Sequence, residues 1–327
     1  MRHYSCIAAD IEDRMRVDRY AAENLALMSR SQMKMRCFKV FCNGREVRLS
    51  RLIRAGDRLE FSWTESESPA FLPEDLPLDI LYEDENVLVI NKAQGMIVHP
   101  GAGVFGGTLA NAVLFRQLKR GEMYGCGALG GALGGAQAGA AEALRPGIVH
   151  RLDKDTSGVI IAAYDERTLA FLAEQFKARK VKKCYAAIVQ GIPKDKEGSI
   201  ETFISRDSRN RKIFTVSDTP GKHAFTWYKA IRSWAVKGTA YTLLLIRPGT
   251  GRTHQIRVHM RFLGHPVLGD PLYGTDDSLF QGLSLMLHSK SLTIRLPDAD
   301  EEVRFSTPLP VRFRGVIRRL EQMQNQN

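Results

Sequence analysis

The stretch from Arg145 to Ala163 sets the tightest limits on what this chain can become. Its centre, His150 to Ser157, is crowded with polar and ionisable side chains. After Gly158 comes Val159-Ile160-Ile161, an apolar β-branched run that predicts a buried strand. Charged groups at the mouth of a buried strand are costly to keep without partners, so the stretch reads as a site. The alternative is an ordinary turn in which Asp153 or Asp155 caps its own backbone.

The rest of the chain predicts more strands than helices, without regular alternation. Apolar runs mark strands at 80–82, 87–90, 185–190, 199–204, 224–233 and 240–246. Thr108 is placed to cap a helix through Leu118, with Leu109, Val113 and Leu114 inward. Asp165 is placed to cap another, with Leu169, Leu172, Ala173 and Phe176 on one face. Its end carries Lys177, Arg179, Lys180, Lys182 and Lys183, which suit a helix C-terminus or a phosphate. A further helix begins near Thr253, its expected cap. There His254, Arg257 and Arg261 share one face and Ile256, Met260 and Leu263 another. This pattern predicts an α+β domain with a mixed, largely antiparallel sheet rather than a doubly wound one.

Residues 14–63 read as a small separate α+β module. Val17, Tyr20, Ala21, Leu25 and Met28 have helical spacing, and a second short helix is expected from Arg30 to about Cys37. Strand 39–42, an Asn43-Gly44 hairpin turn and a returning strand follow, then a turn at Gly56-Asp57 into 58–61. Arg30, Lys34, Arg45, Arg48, Arg51, Arg54 and Arg58 make the module basic. Residues 64–77 are acidic and broken by Pro69, Pro73 and Pro77, which predicts a linker that keeps off a polyanion. The second domain is expected over 78–318, with a Gly/Ala-rich insertion at 119–144. Arg206, Arg209, Arg211 and Lys212 form a basic hairpin segment between two of its strands.

Lys+Arg exceed Asp+Glu, 47 to 36, a net charge of +11 that fits a polyanionic partner. The five cysteines are scattered, with no C-x-x-C pair, so neither a disulfide framework nor a zinc site is expected. His254 and His259 stand five apart rather than four, which argues against a metal pair on one helical face. The N-terminus lacks the apolar core of a signal peptide, and no apolar run reaches membrane-spanning length. A cytoplasmic, monomeric protein without a membrane is the expectation.

Three ordered motifs then carry a resemblance over about residues 78–312. They are His150-Arg151-Leu152-Asp153-Lys154-Asp155-Thr156-Ser157-Gly158, Lys183-Cys184-Tyr185, and Gly251-Arg252-Thr253-His254-Gln255-Ile256-Arg257-Val258-His259. They resemble the HRLD family of RNA pseudouridine synthases, the large-ribosomal-subunit type. The module at 14–63 resembles the S4 RNA-binding domain. Its span from Lys34 to Asn43 is shorter than the family pattern, and the usual glycine before the strand is absent.

The resemblance implies that a uridine in structured RNA is isomerised. The N1–C1′ bond breaks, the captive uracil turns, and a C5–C1′ bond forms. No redox change or hydrolysis is involved, so no cofactor is expected. One ionised carboxylate beside the sugar suffices, as nucleophile or as base, and an exposed Asp with a pKa of about 3.9 is ionised at neutral pH. The resemblance makes Asp153 that residue, Tyr185 the tyrosine of the base pocket, and Arg257 the cation that steadies Asp153. It also suggests that Arg151 fills the gap left by a flipped base. Arg30, Lys34, Lys182, Lys183 and Arg252 are expected to contact RNA. A glycosidase needs carboxylates on opposite sides of the sugar, which Asp153 and Asp155, two residues apart, do not provide. Asp155 is read as a loop-stabilising residue. Large-subunit rRNA is the expected substrate, with tRNA and a catalytically silent ribosome-assembly factor as rival readings.

Overall fold

The computed structural model describes residues 2–11, 13–28, 33, 38–63, 72–101, 104–123, 147–210, 212–217 and 221–326. The chain divides into two compact units, Met1–Phe71 and Leu72–Asn327. Among the described residues no helix is long and apolar enough to cross a membrane.

The first unit holds β1 (Arg2–Ile7), β2 (Met15–Arg16), α1 (Val17–Glu23), β3 (Lys39–Cys42), β4 (Arg45–Val47), β5 (Leu52–Ile53) and β6 (Arg58–Trp63). A four-stranded sheet runs β1-β6-β3-β4, and a two-stranded one pairs β2 with β5. Asn43 (φ +52°) and Gly44 (φ +76°) turn the β3–β4 hairpin, both with the positive φ that a two-residue type I′ turn requires. Val17, Tyr20, Ala21, Val40, Leu59 and Phe61 fill the core. Helix α1 ends at Glu23 rather than near Met28, because Ala26 takes a left-handed conformation (φ +49°). The unit starts ahead of residue 14. Strand β1 pairs with β6 along its full length, yet five of its six residues are exposed, so it carries no apolar run for a sequence reading to find. The helix expected from Arg30 to Cys37, with Arg30 and Lys34, lies outside the described residues apart from Met33.

The second unit holds β7 (Ile80–Glu83), β8 (Val87–Lys92), α2 (Leu109–Met123), β9 (Gly147–Ile148), β10 (Ser157–Ala163), α3 (Glu166–Lys177), β11 (Lys182–Gln190), β12 (Glu197–Arg206), β13 (Phe214–Val216), β14 (Lys222–Val236), β15 (Thr239–Pro248), α4 (Gln255–Phe262), β16 (Leu287–Arg295), β17 (Glu302–Ser306) and α5 (Val311–Gln324). Its eleven-stranded sheet runs β13-β12-β14-β15-β11-β16-β10-β8-β7, with β17 beside β16 and β9 beside β10. The pairings are antiparallel except for β10 with β16, so the sheet is mixed and largely antiparallel. The fold is α+β.

Strand β10 is buried at every residue because both faces of the sheet are covered there. Ile160 and Ala162 pack with Leu88, Ile90, Leu109 and Phe313 on one side. Val159, Ile161 and Ala163 pack with Val87, Val89, Leu172 and Ile294 on the other. The period-two alternation of the strand thus divides one continuous apolar run between two cores. Gly158 sits at the parallel junction with φ +112°, and a Cβ there would lie 2.1 Å from the Ser289 carbonyl oxygen. Only glycine lets β10 approach β16 this closely.

Helix α3 is capped as expected, Asp165 accepting the Thr168 N–H at 2.8 Å and its hydroxyl at 2.7 Å. Ala173, expected inward, is exposed. Helix α2 runs on to Met123, so the 119–144 segment begins as helix, and 124–146 lie outside the described residues. Of the expected linker, Leu72 onward belongs to the second unit. The Leu72 carbonyl accepts the Asn111 side-chain amide at 2.7 Å, and the Glu74 carboxylate accepts the Gly107 N–H at 3.0 Å. Residues 64–71 lie outside the described residues.

Candidate active site

A cleft of about 590 Å³ opens where the loop before β10, the start of β11, the end of α3 and the N-terminal end of α4 meet. That volume suits a nucleotide-sized ligand. Asp153, Tyr185 and Arg257, from segments far apart in sequence, all line it, with Arg151, Lys183 and Arg252. Lys182 does not line it. Its ammonium lies 2.6 Å from Glu302, because neighbouring strand residues point to opposite faces.

The loop is built by backbone bonds rather than by its carboxylates. The Thr156 N–H donates to the Asp153 carbonyl at 3.1 Å. Among the described residues neither Asp153 nor Asp155 caps the turn with its side chain. Lys92, to which the sequence assigned no role, braces it from behind. Lys92 is 1% exposed, and its ammonium donates to the carbonyls of Ala93 and Met96 at 2.8 Å and of Lys154 at 3.0 Å. Burial lowers its pKa to about 8, against the opposing pull of Asp155 and Asp153. His150 points away from chemistry. Its Nε2 accepts the Ile161 N–H at 3.1 Å, its ring stacks on Phe176, and burial followed by Lys183 pushes its pKa down to about 3.

Asp153 keeps an oxygen 3.3 Å from Arg257 Nη1 and the other 4.0 Å from His254 Nε2. Arg257 reaches Asp153 as expected, and it also bridges to a second carboxylate. Arg257 Nε and Nη2 each donate to Asp270 at 2.7 Å, a two-pronged pair whose carboxylate is fully buried. Asp270 also accepts the Leu272 and Tyr273 N–H groups at 2.9 and 3.0 Å. Burial opposes the Arg257 charge, but Asp270 and then Asp153 overcome it and raise its pKa. Nothing local in the sequence told that Asp270 would face a guanidinium thirteen residues back.

Tyr185 is buried at the cleft wall, and its pKa rises to about 12 through burial, with a Ser289 hydrogen bond pulling down and Asp153 adding to the rise. Its phenol therefore stays protonated and neutral at any working pH. Burial, then Arg179, lowers the pKa of Lys183, whose ammonium donates to the Thr250 carbonyl at 3.3 Å. Arg252 donates through Nε to the His223 carbonyl at 2.9 Å.

Helix α4 starts differently from expectation. Its N-cap is His254, at φ +56° and without a capping side chain, so Thr253 does not cap it. Gln255 does the joining instead. Its Oε1 accepts the Thr250 hydroxyl at 2.6 Å and the Arg252 N–H at 3.0 Å, and its Nε2 donates to the Phe225 carbonyl and Thr226 hydroxyl. Residues 255–260 are buried all round rather than on one face.

Comparison with known proteins identifies the family of the chain. The profile of the RNA pseudouridylate synthase family matches residues 86–262. A ribosomal large subunit pseudouridine synthase D of Borreliella burgdorferi is 40% identical over 310 residues, covering 92% of this chain and 88% of the relative. An uncharacterized RNA pseudouridine synthase of Bacillus subtilis is 35% identical, covering 98% and 99%. Among solved structures, human RNA pseudouridylate synthase domain containing 4 is 25% identical with a TM-score of 0.55, covering 74% of this chain and 93% of its own. The chain belongs to the RNA pseudouridylate synthase family, and it is an RNA uridine isomerase.

Proposed function

We propose that this enzyme converts uridine to pseudouridine in large-subunit ribosomal RNA, with Asp153 as the reacting carboxylate. The observation that supports the reading is the convergence of Asp153, Tyr185 and Arg257 on one open cleft. Asp153 is the carboxylate there with spare bonding capacity, since Asp270 is fully enclosed. Tyr185 offers a neutral aromatic face against which a flipped uracil stacks, offsetting the few kcal/mol that unstacking costs. Arg257 holds Asp153 in place. Arg151 is exposed at the rim, suited to fill the gap in the RNA stack. Lys183 and Arg252 are cations for flanking phosphates.

The N-terminal unit is read as an S4-like RNA-binding module. Arg45, Arg48, Arg51, Arg54 and Arg58 are exposed on it, which supports that assignment. Action as a monomer in the cytoplasm is part of the same proposal. Relatives named for the ribosomal large subunit support the choice of large-subunit rRNA.

The test is to map pseudouridines with carbodiimide in total RNA from cells with and without the gene. A gene-dependent site in large-subunit rRNA is expected. Gene-dependent sites confined to tRNA move the substrate, and no gene-dependent site at all rejects the reading.

A further inference from the structure

His254 is given no part above, yet its placement is specific. A non-glycine residue at φ +56° adopts a conformation that few residues take without a reason. Here the conformation sends the ring into the cleft. Nε2 lies 4.0 Å from Asp153 Oδ1, and Nδ1 lies 2.9 Å from the Tyr273 hydroxyl. Phe214 and Tyr273 each meet the ring edge-on at 5.6 Å. The Tyr273 oxygen also accepts the Phe214 N–H at 2.8 Å.

These contacts choose the tautomer. A proton on Nδ1 would leave the Nε2 lone pair facing a carboxylate, acceptor against acceptor. If Tyr273 instead donates its O–H to Nδ1, the imidazole proton sits on Nε2 and points at Asp153. Tyr273 then accepts one hydrogen bond and donates one. The charged groups around the ring are Asp153, Arg257, Asp270 and Arg151. Burial, aided by the two arginines, outweighs the carboxylates and keeps the ring neutral.

We propose that His254, fixed as the Nε2–H tautomer by Tyr273, is a positioning residue that donates to Asp153 Oδ1 when RNA fills the cleft. Arg257 holds the other oxygen, Oδ2. The two donors together stop the carboxylate from rotating and aim it at the sugar. A gap of 4.0 Å is too long for a hydrogen bond. Contacts of this kind tighten on substrate binding. The inference rests on Asp153 being the reacting carboxylate.

The test uses the full-length protein on an rRNA fragment that it modifies. Asp153→Asn comes first, since its continued activity removes the earlier reading before the present one is reached. Two substitutions of His254 then oppose each other. Asn is at home at positive φ, but its amide reaches only the Nδ1 position. Gln is less suited to that backbone, but its amide nitrogen reaches the Nε2 position. A donor role predicts that His254→Gln stays within about threefold of wild type. It predicts that His254→Asn loses about 10- to 100-fold in kcat at unchanged KM, the range for one hydrogen bond to a charged group. A role confined to the turn reverses the order, with Asn near wild type and Gln impaired, and overturns the proposal. Nitrogen-15 NMR of the unaltered protein gives an independent reading. A protonated Nε2 on His254 is expected, and a protonated Nδ1 overturns it.

Discussion

Two charged regions face each other across the cleft and are built on opposite terms. In α4 and the turn after it, the polar side chains are taken up. Gln255 has four partners, His259 lies between Thr226 at 2.8 Å and Thr202 at 3.0 Å, and Asp270 takes two prongs of Arg257 and two backbone N–H groups. Across from it, the loop from His150 to Thr156 leaves Asp153, among the described residues, with one hydrogen bond of 3.3 Å, and leaves Arg151 exposed. A saturated buried network is a scaffold, because removing any member leaves a partner unmet. A carboxylate with lone pairs to spare is free to engage something that arrives. Crowding of charge therefore does not mark the reacting group within a motif; unfilled bonding capacity does.

The strongest way to break this comparison is Asp153→Asn, which keeps shape and removes charge. Pseudouridine formation should fall by about 10³-fold or more, while affinity for the same RNA and the unfolding midpoint stay near wild type. If the variant still turns over, the spare carboxylate is not the one at work.

Asp270→Ala should show the reverse emphasis. It leaves the buried Arg257 short of its main partner, with a cost of about 3–5 kcal/mol in urea unfolding. Asp153→Asn, at a partly exposed side chain, should cost about 1 kcal/mol or less by the same measurement. Equal losses from the two substitutions would erase the distinction between scaffold and reacting group.

How much of this was legible in the sequence follows from the range over which each force acts. Alternation and turn chemistry are local, so the β8, β10, β14 and β15 strands, the Asn43-Gly44 hairpin and the Asp165 cap could all be read along the chain. Asp153, Tyr185 and Arg257 stood out because each lies in a recognisable motif. What was missed depends on pairing at a distance. Lys92 meets Lys154 across 62 residues, Arg257 turns to Asp270, and β10 pairs with β16 some 130 residues on. Helix α4 looked amphipathic because its polar residues are polar. That they are buried and satisfied follows from Thr202, Thr226 and Phe225, on strands whose proximity the periodicity does not encode.

The scaffold should also reveal itself through pH. Burial lowers the pKa of His259 to about 4 from an ordinary 6.5. Between those values the unfolded chain takes up a proton that the folded one refuses, so stability falls as pH falls from 6.5 towards 4. The contribution of His259 at pH 4.5 is about 2–3 kcal/mol. Urea unfolding at pH 7 and pH 4.5 should therefore show a smaller drop for His259→Gln than for wild type. Identical drops would mean that the ring is not held neutral by the fold.

The smallest effect tests the rim. Lys182 and Lys183 are neighbours in sequence, and both were expected to contact RNA. In the fold they part company, Lys183 into the cleft wall and Lys182 onto Glu302 with 73% of its side chain exposed. An exposed pair of this kind contributes about 0.5 kcal/mol or less and is screened by salt. Lys182→Ala should leave RNA affinity within about twofold of wild type. Lys183→Ala should weaken it further and lower the slope of log affinity against log salt by about one phosphate contact. The comparison is made by titrating one RNA over a range of salt concentrations. A larger loss of slope for Lys182→Ala would place the RNA backbone against the opposite face of β11 rather than in the cleft.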